Sequence, residues 1–274
     1  MPELPEVETI RRHLEPVVTG RRMVRVEVNH PRTTRRNIDP QDVVDRLIGA
    51  VVEELRRRGK FLFGLLDNGM TWVTHLGMSG RISVTSPLAA RPKHTHFAAE
   101  TDRGDEIRLI DPRTFGFVAV VTPDELATFT DLGPDAFTDL PRSRSLANSL
   151  AGRTAPIKSL LLDQRLLAGL GNIYADEVLN RAGVRPTRPG GALNYEEIAR
   201  LRRAIKPILS AGVAAGGTSL DDLAYLLPDG EAGGYLQRLR VYGREGDHCR
   251  RCGTVIERVV VGGRSSFYCP TCQT

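Results

Sequence analysis

The sequence predicts an α+β multidomain protein, with an N-terminal antiparallel β-sandwich and flanking helices, followed by a helix-two-turn-helix domain and a zinc-ribbon β-hairpin. Three observations carry this prediction. Residues 22–121 hold short apolar runs separated by turns, helical periodicity takes over from about residue 124, and all four cysteines lie in the last 26 residues. With 274 residues and 41% apolar content, the chain is long enough for more than one core.

The first element is a helix predicted over residues 5–18. Its apolar residues recur at helical spacing, a proline lies near the first turn, and Glu6 and Glu8 favour the positive end of the helix dipole. A proline and two carboxylates, Pro2, Glu3 and Glu6, stand close together at the terminus. On physical grounds alone they are interpreted as the start of a helix.

Eight segments between residues 22 and 121 predict the strands. Each combines apolar residues with a turn, and DNG and SG are typical turn sequences. The segments are MVRVEVNH, AVVEELRR, KFLFGLLDNG, WVTHLGMSG, RISVT, HFAAET, EIRLID and FGFVAVV. Their spacing favours an antiparallel sandwich or barrel.

The later half of the chain predicts helices, and LLAGLGNIYADE is its most informative stretch. Gly169 and Gly171 interrupt two apolar helical segments, and Asn172 stands where the second helix would begin. As a cap, Asn172 would present backbone N–H groups that can hold a phosphate. The pattern predicts a helix, two turns and a second helix, although an ordinary helical hairpin fits the same stretch.

The cysteines predict a metal site. Cys249 and Cys252 form one CxxC pair, Cys269 and Cys272 form another, and 16 residues separate the pairs. This is the spacing of a four-thiolate zinc ribbon, and the intervening IERVVVGGRSSFYC is typical of a β-hairpin. Reduced or disulfide-linked cysteines are the alternative. Because four thiolates leave no open position for water, a zinc ion held there would be structural.

Charge and hydropathy restrict the class of protein. Lys and Arg number 38 against 33 Asp and Glu, a net charge of +5. The stretch from Arg238 to Arg264 is strongly basic, which suits contacts with phosphates. No run approaches the ~18 apolar residues of a membrane span, and no signal or transit pattern opens the chain. We therefore expect a cytoplasmic protein.

Three features together resemble the formamidopyrimidine-DNA glycosylase family, and the resemblance covers the whole chain. They are PELPEVE at the N-terminus, RRGK at residues 57–60 entering a strand, and the C-terminal zinc ribbon. Further matching motifs, in chain order, are HLGMSG, KHTH, DPRTFG, LGPD, IKSLLLDQ, GLGNIYADE, GGTS, VYGREG and RSSFYCPTCQ. The family consists of bifunctional repair enzymes that excise oxidised purines.

The resemblance implies three domains and a set of catalytic residues. The domains are a catalytic β-sandwich at residues 1–130, a helix-two-turn-helix domain at 131–225, and a loop with the zinc finger at 226–274. Pro2 is implied as the nucleophile once Met1 is removed, Glu3 as the acid and Glu6 as the partner that orients or charge-balances the amine. Lys60 would assist β-elimination, and Arg264 would grip the phosphates that flank the lesion.

The resemblance also implies DNA contacts. Met78, Arg113 and Phe115 match a triad that fills the space left by a flipped base, with Arg113 pairing the estranged cytosine. The further implied contacts are His94, Arg153, Lys158 and Asn172. Two departures from the family pattern concern Thr114, where relatives often have a basic residue, and the choice between Arg153 and Thr154 as a phosphate contact.

The expected partner is double-stranded DNA with oxidised bases, and the expected cofactor is one structural zinc ion. One active site per chain suggests a monomer, and the family implies a bacterial, nucleoid-associated enzyme. Two other functions stay open. One is the sister family that removes oxidised pyrimidines with the same proline and zinc finger, and the other is a non-catalytic protein that binds damaged DNA.

Overall fold

The computed structural model describes residues 2–37, 39–129, 131–220 and 225–274. The chain forms two compact units. The first unit is Met1–Asp131 with Ala215–Leu236, and the second unit is Leu132–Ala214 with Gln237–Thr274. The domain boundaries predicted after residues 130 and 225 differ from this division at Ala215–Leu236. That segment returns to the first unit because it hydrogen-bonds to the first helix and to a strand, as described below.

The first unit is a sandwich of eight strands, one for each segment predicted from the sequence. They are β1 (Met23–Val28), β2 (Val52–Arg58), β3 (Phe61–Leu66), β4 (Thr71–His75), β5 (Arg81–Thr85), β6 (Thr95–Thr101), β7 (Glu106–Ile110) and β8 (Phe117–Val121). They pair antiparallel in two sheets, in the orders β1-β6-β7-β5 and β2-β3-β4-β8. The antiparallel prediction is confirmed, and the sheets remain separate instead of closing into a barrel.

Apolar side chains of both sheets form one core. Trp72 of β4 and Phe97 of β6 represent the two layers, with ring centroids 5.8 Å apart. Strands β7 and β8 are buried along their whole length, which explains their continuous apolar sequences. On the other face of the second sheet, Phe63 and Phe117 pack with Phe129. Burial on both sides therefore fixes the strands whose ends carry the candidate site.

The first helix, α1 (Leu4–Val18), begins one residue before its predicted start. Its core-facing residues follow the 3.6-residue period and belong to the same core as the sheets. Helix α2 (Gln41–Leu47) was not predicted from the sequence. It is seven residues long and buries only Val43 and Leu47, so its apolar pattern is too short to identify. Helix α3 (Pro123–Leu126) follows the last strand.

The second unit holds the helices and the hairpin. Its elements are α4 (Ser143–Leu150), α5 (Ile157–Leu162), α6 (Asn172–Ala182), α7 (Tyr195–Ala214), β9 (Glu257–Val261) and β10 (Arg264–Tyr268). The side chain of Gln164 organises the two turns between α5 and α6, because its amide donates to the carbonyls of Leu162 and Leu170 and its oxygen accepts from the N–H of Gly169, each at 2.9 Å. Gly262 and Gly263 have φ of 57° and 75°, which suits the tight turn between β9 and β10. In the described residues, no helix has the length and hydropathy to cross a membrane.

Candidate functional site

The start of the chain is buried instead of frayed. Pro2 is buried, and Glu3 and Glu6 each expose only 1% of their surface. Glu6 Oε2 accepts the N–H of Glu3 at 2.8 Å, as in a capping box at the start of α1. Glu6 Oε1 accepts the N–H of Thr218, also at 2.8 Å. The Glu6 carboxylate therefore holds both the N-terminal segment and the turn at residues 216–219.

Gly217 allows that close approach. Its φ of +82° lies in the left-handed region, and a Cβ at this position would meet Glu6 Cγ and Oε1 at 2.9 Å. Its backbone conformation and the lack of space both favour glycine. The following loop is anchored as well, since the N–H of Val84 donates to the carbonyl of Pro228 at 3.0 Å. Tyr225 donates from its hydroxyl to the carbonyl of Gly216, also at 3.0 Å.

Lys60 lies in the turn between β2 and β3 and exposes 8% of its surface. A chain of hydrogen bonds connects this turn to α1. Arg57 donates to Glu8 at 3.0 Å and to the carbonyl of Gly59 at 2.9 Å. Burial opposes ionisation of Glu8, but hydrogen bonds from Arg11, Arg12 and Arg57 outweigh it and hold the pKa of that carboxyl below its ordinary value. Glu8 thus helps to position the Lys60 turn, a role that the sequence did not reveal.

His75 is a neighbour of Lys60 that the sequence did not single out. Burial, reinforced by the positive charge of Lys60, lowers the pKa of His75 to about 4. Its Nδ1 accepts the N–H of Gly77 at 3.1 Å, so the remaining hydrogen is on Nε2. A neutral imidazole at this position adds no like charge beside the lysine at neutral pH.

Two loops of the first unit present the three residues of the predicted triad. The first spans residues 76–80 and the second spans residues 111–116, and together they are called the paired loops. Met78 and Phe115 expose 38% and 37% of their surface, unlike the core residues around them. The guanidinium carbon of Arg113 lies 4.6 Å from the centroid of the Phe115 ring, a cation–π contact.

Asp111 joins the paired loops. It exposes 1% of its surface, and its Oδ1 accepts the hydroxyl of Ser79 at 2.5 Å while its Oδ2 accepts the N–H of Gly116 at 2.6 Å. Its backbone N–H donates to the carbonyl of His94 at 3.0 Å. One buried carboxylate and its backbone therefore bring together the neighbourhoods of Met78, His94 and Phe115.

Two arginines from residues 31–36 hold the second of the paired loops from outside. Arg35 donates to the carbonyls of Phe115 at 2.8 Å and Gly116 at 2.7 Å, and Arg32 donates to the carbonyl of Thr114 at 3.2 Å. Arg35 also lies 5.3 Å from the centroid of the Phe117 ring. These side chains were not predicted to belong to the site.

Backbone strain marks the same region. Among the described residues, His94 and Thr114 alone combine a side chain with positive φ, at 67° and 53°. Left-handed backbone is unfavourable for a β-branched residue such as Thr114, and such strain persists only where neighbours enforce it. Both residues lie where the sequence predicted DNA contacts or noted a departure from the family pattern.

In the second unit, Asn172 is the first residue of α6, and Gly171 is the cap. The predicted cap is therefore displaced by one residue, because Gly171 has the extended backbone that a cap needs. Asn172 Oδ1 is buried and has no hydrogen-bond partner among the described residues. Arg153 is exposed on the turn after α4, and its backbone carbonyl accepts the N–H of Gly191 at 2.8 Å. Thr154 is exposed beside it, so the structure leaves both as surface candidates.

Lys158, another predicted DNA contact, is held inside the second unit. Its side chain is fully buried, and its ammonium group lies 2.8 Å from Asp176 Oδ1 and donates to the carbonyl of Ser265 at 2.8 Å. Asp176 also accepts from the hydroxyl of Ser266 at 2.7 Å and from the N–H of Phe267 at 2.9 Å. Lys158 and Asp176 thus fasten strand β10 to helices α5 and α6.

This fastening positions the hairpin tip. Arg264 opens β10 directly after the two turn glycines and is exposed. A Cβ at Gly262 would lie 2.8 Å from Ser159 Oγ, so the tip approaches α5 closely. Arg264 forms no ion pair with any described residue.

The base of the hairpin carries the four cysteines, whose Sγ atoms all lie within 4.8 Å of one another. The N–H of Arg251 approaches Cys249 Sγ at 3.5 Å and the N–H of Cys272 approaches Cys269 Sγ at 3.4 Å, donors that stabilise thiolates. This donor set fits one tetrahedral zinc ion with all positions filled by protein. The site is structural.

Comparison with known proteins agrees with this geometry along the whole chain. Residues 1–118 match the formamidopyrimidine-DNA glycosylase N-terminal domain, residues 132–223 the H2TH domain of the same enzymes, and residues 246–274 the zinc finger found in FPG and IleRS. The chain is 47% identical to the formamidopyrimidine-DNA glycosylase of Rhizorhabdus wittichii and 42% identical to that of Paracoccus denitrificans, with 100% of both sequences covered in each case.

Solved structures show the same likeness. The Lactococcus lactis Fpg in complex with DNA containing an abasic site has a TM-score of 0.91 at 32% identity, covering 100% of both chains. The Lactococcus lactis FPG (MutM) in complex with DNA containing FAPY-dG has a TM-score of 0.90 at 32% identity, covering 99% of this chain and 100% of that one. With three domain matches in order and full-length relatives above 40% identity, the chain belongs to the formamidopyrimidine-DNA glycosylase family.

Proposed function

We propose that this protein is a bifunctional DNA glycosylase and AP lyase that excises oxidised purines, 8-oxoguanine and formamidopyrimidines, from duplex DNA. The observation that carries the proposal is the buried N-terminus, where Pro2 is buried and Glu3 and Glu6 each expose 1% of their surface. Chain termini usually fray, so a terminus held by side-chain hydrogen bonds calls for an explanation. A nucleophilic terminal amine supplies one.

The nitrogen of Pro2 is an amide while Met1 precedes it, and it becomes a secondary amine when Met1 is removed. Met1 lies outside the described residues. With an α-amino pKa of about 7.7 to 8.0, a useful fraction of such an amine is neutral near pH 7. In the proposed reaction its lone pair attacks C1′ of the damaged nucleotide while the bond from C1′ to the base breaks, and the base takes up the proton that the amine nitrogen loses. The bond from C1′ to the ring oxygen then breaks, which leaves an iminium that links protein and sugar. Glu3 donates the proton that the opened sugar oxygen takes up.

Strand cleavage then requires two eliminations. Loss of a proton from C2′ of the iminium expels the 3′ phosphate, and a second elimination expels the 5′ phosphate. Lys60 would assist the first step, and the hydrogen-bonded chain Glu8, Arg57 and Gly59 would keep its turn in place. Arg264 would hold the phosphates beside the lesion, because a guanidinium group can donate two parallel hydrogen bonds to one phosphate.

The base must leave the duplex before it can react, and the paired loops offer side chains to fill the space. Met78 and Phe115 would enter the stack, and Arg113 would donate to the estranged cytosine. His94, Asn172 and either Arg153 or Thr154 would contact phosphates. Lys158 is left out of this interface because its ammonium group is buried against Asp176. We propose a monomer, since one chain supplies every residue named.

Borohydride trapping on a duplex with 8-oxoguanine opposite cytosine tests the proposal. Protein freed from an N-terminal fusion by a protease that leaves Pro2 first should form a covalent adduct, and uncleaved fusion protein should bind the duplex without forming one. Glu3→Gln should slow excision at least 100-fold, within the range that general acid catalysis contributes. Arg103→Gln, an exposed change in the same unit, is the matched control.

Two results would contradict the proposal and assign a different function. Faster reaction with an oxidised pyrimidine than with 8-oxoguanine would assign the chain to the sister activity, and tight lesion binding without any adduct would make it a binding protein. Arg113→Ala sharpens the substrate assignment. It should weaken the preference for lesions opposite cytosine more than it slows excision, and equal losses for every opposite base would exclude the pairing role.

A further inference from the structure

A cavity in the second unit is lined by none of the residues proposed above for catalysis or DNA contact. It has a volume of about 370 Å³, and its lining includes Glu177, Asn180 and the zinc ligand Cys249. Four arginines line it: Arg181, Arg240, Arg250 and Arg251. We propose that this cavity is a second phosphate-binding site, which takes two or three linked phosphate groups away from the lesion. The proposal does not depend on the glycosylase reaction.

The four guanidinium groups are mounted on structured supports. Arg181 lies in the last turn of α6, while Arg250 and Arg251 lie in the turn between the first two cysteine ligands. Arg240 stands on backbone that Glu177 fixes, since that carboxylate accepts the N–H groups of Arg240, Val241 and Tyr242 at 2.9 to 3.0 Å. Of the four side chains, only that of Arg250 has a hydrogen bond in the described part of the chain, to the carbonyl of Gln237 at 3.4 Å. The fixed backbone limits the entropy that these donors lose when a ligand arrives.

The Glu177 carboxylate attracts one of the four arginines, Arg240, but it is largely occupied by backbone donors. Its oxygens already accept three backbone N–H groups, and burial raises the pKa of Glu177 above its ordinary value. None of the four arginines forms an ion pair with a described residue. The neighbouring Arg244, in contrast, is paired: it donates to Asp247 at 3.0 Å and to the carbonyl of Arg240 at 2.8 Å. With zinc bound, the four thiolates and the ion together carry a net charge of −2, and Glu177 adds at most −1, so the four arginines still leave a positive balance around the cavity, which favours an anion.

The cavity is distant from the predicted DNA contacts of the same unit. Asn172 opens α6, and Arg181 lies nine residues later, about 14 Å along the helix axis at a rise of 1.5 Å per residue. The cavity also lies beside the cysteines at the base of the hairpin, whereas Arg264 is at its tip. The five residue steps from Arg264 to Cys269, which directly follows β10, span about 17 Å if the chain stays extended. A phosphate held at the tip therefore does not reach the cavity.

Shape and donor type indicate the ligand. Guanidinium groups bind phosphate oxygens in pairs, and four of them exceed what one orthophosphate needs. The volume accommodates a di- or triphosphate, and it excludes a folded partner segment. Two sources share this chemistry, a free oligophosphate such as the tail of a nucleoside triphosphate, and the backbone of a nucleic-acid strand that runs beyond the lesion.

Calorimetric titration of the zinc-loaded full chain with inorganic tripolyphosphate tests the site. The double variant Arg240→Gln/Arg251→Gln should raise Kd at least tenfold. The matched control Arg203→Gln/Arg238→Gln removes the same charge from exposed positions of the same unit that do not line the cavity, and it should change Kd less than twofold. Absence of binding by the unaltered chain, or equal weakening in both double variants, would overturn the proposal. Zinc content and circular dichroism establish that both variants fold.

Competition then identifies the source. If a lesion duplex of about 30 base pairs displaces tripolyphosphate while a 12-base-pair duplex does not, the site binds the backbone of an extended strand. If tripolyphosphate binds equally well to the free chain and to its complex with either duplex, the site takes a free oligophosphate. Displacement by the short duplex as well would place the cavity within the lesion interface and overturn the proposal of a separate site.

Discussion

The two units hold their candidate DNA contacts by different means. In the first unit, one buried carboxylate, Asp111, and the exposed Arg32 and Arg35 tie the paired loops through hydrogen bonds to backbone groups. In the second unit, a buried ion pair and a metal site fix a short hairpin. The first arrangement tolerates strained backbone at His94 and Thr114, and the second relies on one rigid tip. Strained backbone of this kind persists only where neighbouring groups enforce it, whereas the hairpin tip needs no such strain once its base is fixed.

Zinc removal should give the largest difference between the two units in their response. Chelation should unfold the hairpin and abolish binding of lesion duplex, because structural zinc contributes about 10 to 16 kcal/mol of apparent binding free energy to small domains of this type. Trp72, the one tryptophan of the chain, lies in the core of the first unit and reports on that unit alone. Its emission should stay unchanged while duplex binding disappears. A parallel change in Trp72 emission would contradict the comparison.

Lys158→Met should have the next largest effect, a loss of folding stability in the second unit. It leaves Asp176 buried without its cation, a loss of about 3 to 5 kcal/mol, and the double variant Lys158→Met/Asp176→Leu should recover most of it. The salt dependence of DNA binding distinguishes this role from a phosphate contact. Lys158→Met should leave the slope of log K against log salt unchanged, whereas Arg264→Met should reduce it by about one. A reduced slope for Lys158→Met would restore the predicted contact.

Glu8→Gln should destabilise the first unit by about 2 to 3 kcal/mol at pH 7, since it weakens the pairing of the buried Arg57. The pKa of Glu8 is lowered in the folded state, so this stabilisation is present above the unfolded pKa of about 4.3 and is lost as the pH falls through the folded pKa. Urea titrations at several pH values should show the gap between variant and parent shrinking below pH 4. The exposed Glu53→Gln provides the control, and a gap independent of pH would rule out this mechanism.

Asp111→Asn should have the smallest effect on stability, about 1 to 2 kcal/mol, because an amide NH₂ group would face either the N–H of Gly116 or the hydroxyl of Ser79. The variant should also change the opposite-base preference by more than this small loss of folding stability would cause. We expect a weaker preference for cytosine opposite the lesion, at unchanged affinity for undamaged duplex. Unchanged opposite-base preference would show that the paired loops do not need their shared carboxylate.

Patterns among residues that are close together in the sequence made much of this fold predictable. The eight strand segments, the first helix, the two turns around Gly169 and the cysteine spacing each depend on neighbours in the sequence, and each appears in the structure. Contacts between distant residues were not predictable in this way. Lys158 sits in a motif that suggested DNA binding, and only the fold brings Asp176 against it. Nothing in the sequence near Arg35 indicates that it holds the carbonyl of Gly116.

The hydrogen bond from Thr218 to Glu6 has a consequence for synthesis of the protein. It joins residues 212 positions apart, so this contact cannot form until about four fifths of the chain has left the ribosome. Contacts of such long range form late, because the loop between the partners must close first. A nascent or truncated chain that ends before Thr218 therefore lacks this contact, and Glu6 can hold the turn at residues 216–219 only after most of the chain has been made.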